Sequence, residues 1–422
     1  MTQDNLMIII AFALYLGLMM YIGVYYYRKS NSIGDYILGG RQLGPWITAL
    51  SAEASDMSGW MLMGVPGLAY TTGISGLWIA VGLTLGTWAN WKFVSRRLRN
   101  HTEVASDSLT LPDYLKNRFH DQSHSVAVIS ALFILIFFLI YTSSGFVAGG
   151  KLFNTIFGLD YTLSLFITAG IVVFYTFLGG FLAVSWTDCI QGALMFFAIL
   201  AVPITAAMYL GGPIETMQLI QSEFPQGLNL FGYTSDMFAL IIGIISSLGW
   251  GLGYFGQPHI LVRFMAISDA KELKKSTNIA MVWVILSLLA AIFVGLIGNV
   301  YMLPERLVGT DAETIFLVMT ERLFTPFVAG LIWSAVLAAI MSTASAQLLV
   351  TASAISNDFY ANIIHKCYFC FKVLGTDNVL ALGFVGVLSL DFTVSGAYNI
   401  VSSSEFPMPF FPFIKEPFEL LT

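Results

Sequence analysis

Charged residues are scarce in this sequence of 422 residues: Asp, Glu, Lys and Arg make up 10% of it, whereas apolar residues make up 57%. Soluble domains carry about 25% charged residues, which cover their surfaces. Uncharged apolar runs long enough to cross a bilayer recur along most of the chain, and such runs predict transmembrane helices. The composition therefore excludes a soluble domain and predicts an all-α polytopic membrane protein.

Cysteine and catalytic motifs are also scarce. The three cysteines, Cys189, Cys367 and Cys370, are too few for a disulfide framework, and we interpret the CxxC of the last two as a chance match. No cluster of His, Cys and Glu has metal-ligand spacing, and neither GxSxG nor a Walker motif occurs. We therefore predict that the protein is neither an enzyme nor an ATP-driven pump, and that it has no cofactor and no nucleic-acid partner.

The apolar runs predict nine spans up to residue 355 and a weaker tenth one. We place them at about 6–27, 45–71, 75–93, 125–147, 159–179, 186–210, 236–256, 279–302 and 324–355, with the weaker one near 378–401. Lys and Arg are concentrated in the loops after the first, third and seventh spans, and the alternate loops have fewer. Because basic loops favour the cytoplasmic side, this alternation predicts a multi-pass protein of the cell (inner) membrane with its N-terminus outside.

The segment after Ile364 differs in composition from the rest. Its last stretch, SSSEFPMPFFPFIKEPFELLT, is dense in Pro and Phe. It is unsuited to a spanning helix, because Pro lacks a backbone donor and disrupts helical bonding. We interpret 1–364 as the membrane domain and 365–422 as an atypical C-terminal segment, truncated or altered.

The stretch SAEASDMSGWML, residues 51–62, places Glu53 and Asp56 among Ser and Gly inside an apolar run. An ionisable residue at membrane depth is costly, so it usually faces a bundle interior or a water-filled cavity. Ser and Gly loosen the helix and free backbone carbonyls, as in the discontinuous helices that bind solutes and ions in secondary transporters. The alternative is that Asp56 is a structural partner for a buried cation or a backbone donor.

A second irregular span is SSLGWGLGYFGQPHILVRF, residues 246–264, in which glycines recur almost every other residue before Pro258. Gly and Pro disfavour helix interiors, so we predict an unwound segment here. Trp250 and Tyr254 are four residues apart and share a face, which suits a small amphipathic ligand. The alternative is a Gly-rich packing face with interfacial aromatics. Tyr141, in LIYTSSGFVAG, either lines a cavity or packs in the core.

A third stretch, AAIMSTASAQLL at residues 338–349, places the adjacent hydroxyls of Ser342 and Thr343 one turn after Ala339. Sodium is a hard cation, and hard cations prefer oxygen ligands. The two hydroxyls and the Ala339 carbonyl therefore suit a cation. On spacing alone, however, ordinary small-residue helix packing, with hydroxyls bonded to the preceding turn, is the better explanation.

Five stretches resemble the sodium:solute symporter family, most closely its bacterial sodium/proline symporters. They occur in the family's order within residues 1–364: GGRQLGPWITALSAEASDMSGWMLMGVPG, LTLPDYLKNRF, GGFLAVSWTDCIQG, WGLGYFGQPHILVRFMAI and SAVLAAIMSTASAQLLVTASAISNDFY. The resemblance implies a LeuT-like inverted-repeat core of five plus five helices, preceded by one extra N-terminal helix at 6–27. It implies a first repeat at 45–210 and a partial second repeat at 236–355, each beginning with a broken helix.

The family pattern also implies roles for single residues. One sodium ion is expected at three carbonyls and two hydroxyls, those of Ala54, Met57, Ala339, Ser342 and Thr343. Cation coupling is implied for Arg41, Asp56, Ser58, Gly59 and Asp188. Substrate binding is implied for Trp60, Tyr141, Trp250, Tyr254 and Pro258.

Together, these features predict a secondary transporter in the lipid bilayer that imports L-proline with sodium as the coupling ion. A symporter for another small solute, such as pantothenate, a sugar or a carboxylate, is the alternative within the same family. The family pattern ends near His365, so the second repeat is expected to be incomplete. A truncated, non-transporting membrane protein and a channel are the alternatives from other classes. No feature of the sequence indicates an oligomeric state.

Overall fold

The structure, a computed structural model, describes residues 3–28, 33–232 and 236–358. Within these ranges the backbone forms fifteen α-helices and no β-strand. The first seven are α1 (Gln3–Tyr27), α2 (Ile33–Leu38), α3 (Pro45–Leu62), α4 (Gly64–Thr72), α5 (Leu77–Ala89), α6 (Arg96–Val104) and α7 (Leu111–Arg118). The others are α8 (Ser125–Phe157), α9 (Tyr161–Tyr209), α10 (Pro213–Glu223), α11 (Met237–Gly249), α12 (Pro258–Met265), α13 (Leu273–Tyr301), α14 (Ile315–Leu323) and α15 (Pro326–Ser353).

Seven helical stretches in the described part of the chain are long and apolar enough to cross a membrane. They are Gln3–Tyr27, Gly64–Val104, Ser125–Phe157, Gly180–Tyr209, Met237–Gly256, Leu273–Tyr301 and Pro326–Asp358. A shorter apolar helix, Tyr161–Thr176, precedes the fourth of them. The predicted polytopic helical class is confirmed. The predictions for 365–422, including the span near 378–401 and the CxxC pair, lie outside the described residues.

The backbone leaves helical geometry within the predicted broken span at 45–71. Helix α3 begins at Pro45, whose fixed φ suits the first helical position. At Ser58 the backbone takes φ 47° and ψ −176°, and at Met63 it departs again before α4 begins. A residue other than glycine with these angles costs about 1–3 kcal/mol. Surrounding contacts must therefore hold Ser58 in place.

The second broken span is also confirmed. After α11 the chain tightens into a 3₁₀ segment, Trp250–Gly256, passes through an extended Gln257, and resumes as α12 with Pro258 at its first turn. Gly251 allows this segment to lie directly on α5. A Cβ atom added at Gly251 would stand 2.0 Å from the carbonyl oxygen of Gly82. The unwound backbone is therefore packed against a neighbouring span.

At the centre of the bundle, α3 and α9 pack on each other, and α13 and α15 each pack against both of them. Helices α1 and α8 each pack against α9 and α15. Nearly every residue of α15 from Ala329 to Ser353 is buried, and so is most of α3 from Ser51 to Leu62. The polar residues of these two helices therefore lie at depth, where each needs a partner.

The two broken helices are joined at one end by backbone hydrogen bonds. The Leu43 N–H donates to the Ala266 carbonyl at 3.1 Å, and the Ser268 N–H donates to the Leu43 carbonyl at 3.0 Å. Leu43 and Ile267 thus pair as an isolated parallel bridge between the start of α3 and the end of α12.

Some boundaries predicted from the sequence were wrong. Segments expected to be loops contain α6, α7, α10 and α14, and α8 continues through the predicted loop 148–158 to Phe157. Long apolar runs do not indicate these helices, because short polar helices are marked in a sequence by their caps. Helix α7, for example, begins where the Thr110 hydroxyl accepts a hydrogen bond from the Asp113 N–H. The spans predicted at 159–179 and 186–210 agree with the two parts of α9, which are separated by the non-helical Gly180.

Candidate functional site

A cavity of about 510 Å³ lies among α3, α8, α15 and the 3₁₀ segment of the second broken span. This volume falls within the range of about 300–1,000 Å³ that is usual for small-molecule sites. The irregular part of α3, from Asp56 to Trp60, forms one wall, and α8 contributes residues from Tyr141 to Lys151. The two interrupted helices therefore meet at one solute-sized space.

Backbone groups at the α3 break form hydrogen bonds and packing contacts with side chains around the cavity. The Ser58 hydroxyl accepts a hydrogen bond from the Trp60 N–H at 3.2 Å. The Tyr141 hydroxyl donates to the Asp56 carbonyl at 3.3 Å. Gly59 packs on α15: an added Cβ atom would stand 3.1 Å from Ile340. Five residues with predicted roles thus take part in the contacts that hold the break in its position.

The predicted sodium ligands meet where α3 crosses α15. The Ser342 hydroxyl donates to the Ala54 carbonyl at 2.7 Å and lies 3.2 Å from the Ala339 carbonyl. The Thr343 hydroxyl oxygen is buried, and no described group bonds it. Met57, the fifth predicted ligand, and Thr343 both line the cavity. This donor set of neutral oxygens, with one buried hydroxyl lacking a partner, fits a hard monovalent cation.

Asp56 contacts the second broken span. Its carboxylate lies beside the Tyr254 hydroxyl, and its Oδ2 atom is buried and has no partner in the described part of the chain. Glu53, three residues earlier, instead accepts a hydrogen bond from the Trp91 indole at 2.9 Å. Of the two buried carboxylates, only Asp56 lines the cavity. Of these two, Asp56 is therefore the one placed to interact with a bound cation or a charged solute.

Aromatic side chains from both broken helices form the apolar part of the cavity wall. The rings of Trp60 and Trp250 lie with centroids 4.8 Å apart, tilted by 42°. Tyr254 and Tyr141 also line the cavity. Four of the five predicted substrate residues are thus brought together.

Pro258, the fifth, is not brought to this cavity. It occupies the first turn of α12 and borders a separate space of about 20 Å³ near Ile37 and Leu349. Its neighbour Gln257 lines the larger cavity instead. A direct contact between Pro258 and a substrate therefore stays a prediction. The position of Pro258 in the first turn of α12 shows that it helps to set where this helix begins.

Asp188 lies in a buried ion pair outside the cavity. Its Oδ2 atom is 2.9 Å from an Arg263 Nη atom and accepts a second hydrogen bond from Ser51 at 2.9 Å. Arg263 also donates to the carbonyl of His259. Asp188 therefore connects α9 to both broken helices.

Arg41 is also remote from the cavity. Its guanidinium bonds the Asp107 carboxylate at 2.9 Å, the Met265 carbonyl at 2.7 Å and the Ser108 carbonyl at 3.1 Å. Burial lowers the pKa of Arg41, and the charge of Asp107 opposes that shift. Arg41 therefore ties the start of α3 to the segment after α6 and to the end of α12.

A cavity between two interrupted helices, joined to the oxygen-rich crossing of α3 and α15, suits coupled movement of an ion and a solute. A family model described as "Sodium:solute symporter family" matches residues 36–382. The chain belongs to the sodium:solute symporter family. Members of this family are transporters, so the prediction that the protein is not an enzyme is confirmed.

Several curated bacterial proteins are about half identical to this chain in sequence. The high-affinity proline transporter PutP of Bacillus subtilis is 50% identical over 348 residues, which cover 82% of this chain and 72% of the relative. The osmoregulated proline transporter OpuE of the same organism is 50% identical over 359 residues, covering 85% and 72%. A sodium/proline symporter of Staphylococcus aureus is 50% identical over 352 residues, covering 83% and 68%.

Solved structures share the fold of this symporter. A Na⁺-coupled sialic acid symporter in a substrate-bound outward-open state matches with a TM-score of 0.76 at 20% identity, over 94% of this chain and 83% of the other. MhsT in complex with L-phenylalanine matches with a TM-score of 0.55 at 13% identity, over 85% and 81%. At these identities the matches show the LeuT-like fold alone.

Several residues of the symporter site were not singled out in the sequence. Gln347 and Gln257 line the cavity, as do Lys151 and Glu313, which form an ion pair. Gln347 could have been found, because it follows Thr343 by four residues and so shares its helix face. The Lys151–Glu313 pair joins segments 162 residues apart, and no local pattern predicts it.

Proposed function

We propose that this protein imports L-proline into the cell, driven by the inward flow of sodium. One observation supports this most directly: Met57 and Thr343 belong to the proposed sodium ligand set and also line the solute cavity. A cation bound there would touch residues that shape the solute site. The relatives named as proline transporters supply the identity of the solute.

Sodium would bind the carbonyls of Ala54, Met57 and Ala339 and the hydroxyls of Ser342 and Thr343. It would supply the missing partner of the Thr343 hydroxyl and would hold α3 against α15. Differential affinity of this kind shifts the population toward the state that binds solute better. Sodium binding would therefore favour proline binding, and proline binding would favour sodium binding in return.

Proline would bind in the cavity with its ring against Trp60, Trp250 and Tyr254. Its carboxylate would be stabilised by unpaired N–H groups and the positive end of a half-helix dipole. Tyr141 would hold the α3 break through its bond to the Asp56 carbonyl. In this proposal, Asp56, Ser58 and Gly59 couple the cation to the solute directly, whereas Arg41 and Asp188 do so by joining the helices that must move.

The proposed organisation has a transporter domain at 1–364, with a first helix at 6–27, a first repeat at 45–210 and a partial second repeat at 236–355. The backbone pairing of Leu43 with Ile267 supports this arrangement, because it places the start of the first broken helix beside the end of the second, as expected for inverted repeats. The basic loops support a location in the cell (inner) membrane with the N-terminus outside. Residues 365–422 would form a separate C-terminal segment.

Uptake of labelled L-proline by vesicles containing this protein tests the proposal. Accumulation is expected with an inward sodium gradient and not with an equal potassium gradient. Sodium-driven uptake of pantothenate, a sugar or a carboxylate, without uptake of proline, would show that the protein carries that solute instead of proline. Solute flux without accumulation would indicate a channel, and absence of any flux or sodium binding would indicate a non-transporting protein.

A further inference from the structure

A lipid-facing stripe runs along α5 and continues into charged residues. Val81, Leu85 and Trp88 are exposed and separated by three or four residues, so they share one face of the helix. Lys92 follows Trp88 by four residues and continues the same face. The stripe therefore changes from apolar to cationic within one helical turn, as a helix does where it passes from the hydrocarbon layer to the headgroups.

Three exposed cations cluster where this stripe ends. Lys92, Arg96 and Arg97 are all exposed, and the helix between them includes a π-helical segment, Asn90–Ser95. Arg96 and Arg97 follow Lys92 by four and five residues, and residues at these spacings share a face of such a wide turn. The three cations therefore lie on the same face of the helix. The Lys92 ammonium also lies 4.5 Å from the centroid of the Trp88 ring. Aromatic surface and cationic groups are thus adjacent.

These cations have no acidic partner in residues 3–28, 33–232 and 236–358. The acids that follow them in the chain are already bound: Glu103 pairs with Arg99 at 2.7 Å, and Asp107 pairs with Arg41 at 2.9 Å. The cluster therefore retains its positive charge at the edge of a membrane-facing surface. Such a surface complements an anionic group held at the same depth.

We propose that Lys92, Arg96 and Arg97 form a binding site for the phosphate headgroup of an anionic phospholipid, with Trp88 against its acyl chains. An acidic protein segment is disfavoured, because the apolar part of the same stripe lies at the depth of the hydrocarbon. The site is separate from the solute cavity, so it does not depend on which solute is carried. The ligand class is a phospholipid with a net negative headgroup, such as phosphatidylglycerol.

Tryptophan quenching tests the proposal on the full-length protein. The protein is reconstituted in phosphatidylethanolamine vesicles containing increasing fractions of phosphatidylglycerol with brominated acyl chains. Subtracting the signal of Trp88→Phe isolates quenching at Trp88. Binding to phosphatidylglycerol is expected to be about 10- to 100-fold tighter than to brominated phosphatidylethanolamine. A triple variant, Lys92→Gln with Arg96→Gln and Arg97→Gln, should lose this preference.

Two further variants make the result specific. Lys92→Arg with Arg96→Lys and Arg97→Lys keeps the charges and should keep the preference. The triple variant Lys271→Gln, Lys274→Gln and Lys275→Gln changes the net charge equally at exposed positions elsewhere and should leave quenching at Trp88 unaltered. Equal quenching of wild-type Trp88 by the two lipids would overturn the proposal. So would an equal loss of the preference for phosphatidylglycerol in the glutamine variant of the cluster and in the glutamine variant of the three lysines elsewhere.

Discussion

The Asp188 carboxylate and the Arg263 guanidinium lie 2.9 Å apart, and neither side chain is more than 1% exposed. Removing one member of such a buried pair leaves an uncompensated charge, which costs about 3–5 kcal/mol. Asp188→Ala should therefore lower the thermal stability of the purified protein sharply. Removing both charges, in Asp188→Asn with Arg263→Gln, should recover much of it.

Glu313→Gln is the matched control, because it breaks the half-exposed pair with Lys151 and should cost about 1 kcal/mol or less. The double variant also separates two roles of Asp188. If the residue acts only by neutralising Arg263, sodium dependence should return together with stability. Recovered stability with sodium dependence still lost would show that the carboxylate itself acts on the cation.

Ser342→Ala and Thr343→Ala test the proposed sodium site. Each removes one oxygen ligand, and the loss of a contact to a charged group is worth about 1.5–3 kcal/mol. The sodium concentration for half-maximal proline uptake should therefore rise about 10- to 100-fold in each variant. Ser334→Ala is the control, since that hydroxyl is also buried in α15 but bonds only the Gly330 carbonyl. An unaltered sodium curve in the Ser342 and Thr343 variants would refute the ligand assignment.

Asp56→Asn tests whether the carboxylate that faces the cavity is needed for coupling. The change keeps the size of the side chain and removes the charge, so sodium stimulation of proline uptake should be abolished. Glu53→Gln is the matched control three residues earlier, because glutamine can still accept the bond from the Trp91 indole. Normal sodium stimulation in Asp56→Asn, or its loss in both variants, would remove the special role given to Asp56.

Trp60 and Trp250 should contribute to proline binding as a unit, because their rings are in contact. Replacing either with Ala should raise the KM for proline about tenfold or more, since each ring supplies a large apolar surface. The double variant should cost less than the sum of the single changes, as expected for residues in contact. Strict additivity in uptake measurements would show that the rings act on proline independently.

The two broken helices were predictable from the sequence, because Gly, Ser, Asp and Pro in an apolar run have a local physical meaning. The cation site was not predictable from spacing alone. The Ser342 hydroxyl reaches the Ala54 carbonyl across 288 residues, and only the packing of α15 on α3 brings the two together. The family resemblance supplied that contact where periodicity did not.

Ion pairs show the same limit. Arg263 stands out as a lone cation in an apolar stretch, but its partner Asp188 lies 75 residues earlier on a different helix. Pro258 shows the opposite case: the sequence marked the break in the helix correctly, yet the residue borders another space. Sequence signals for backbone geometry are local. Which cavity a side chain lines, by contrast, is decided by tertiary packing.

Gln347 should contact the solute even though it was not among the predicted site residues. Its Oε1 atom accepts a hydrogen bond from Thr142 at 2.9 Å, and its buried Nε2 group has no partner among the described residues. Gln347 also belongs to the cavity wall. A free amide donor of this kind suits the carboxylate of an amino acid. Gln347→Leu should therefore raise the KM for proline about tenfold, by the loss of one hydrogen bond to a charged group.

Gln191→Leu is the control for this last change, because Gln191 is equally buried in the bundle but donates its amide to the Tyr15 hydroxyl at 2.7 Å, away from the cavity. It should lower stability and leave the KM for proline unchanged. The sodium concentration for half-maximal uptake should stay near the wild-type value in Gln347→Leu, since the proposed cation ligands lie one turn away and remain intact. A rise in that sodium concentration with no change in the KM for proline would place Gln347 at the cation site instead of the solute site.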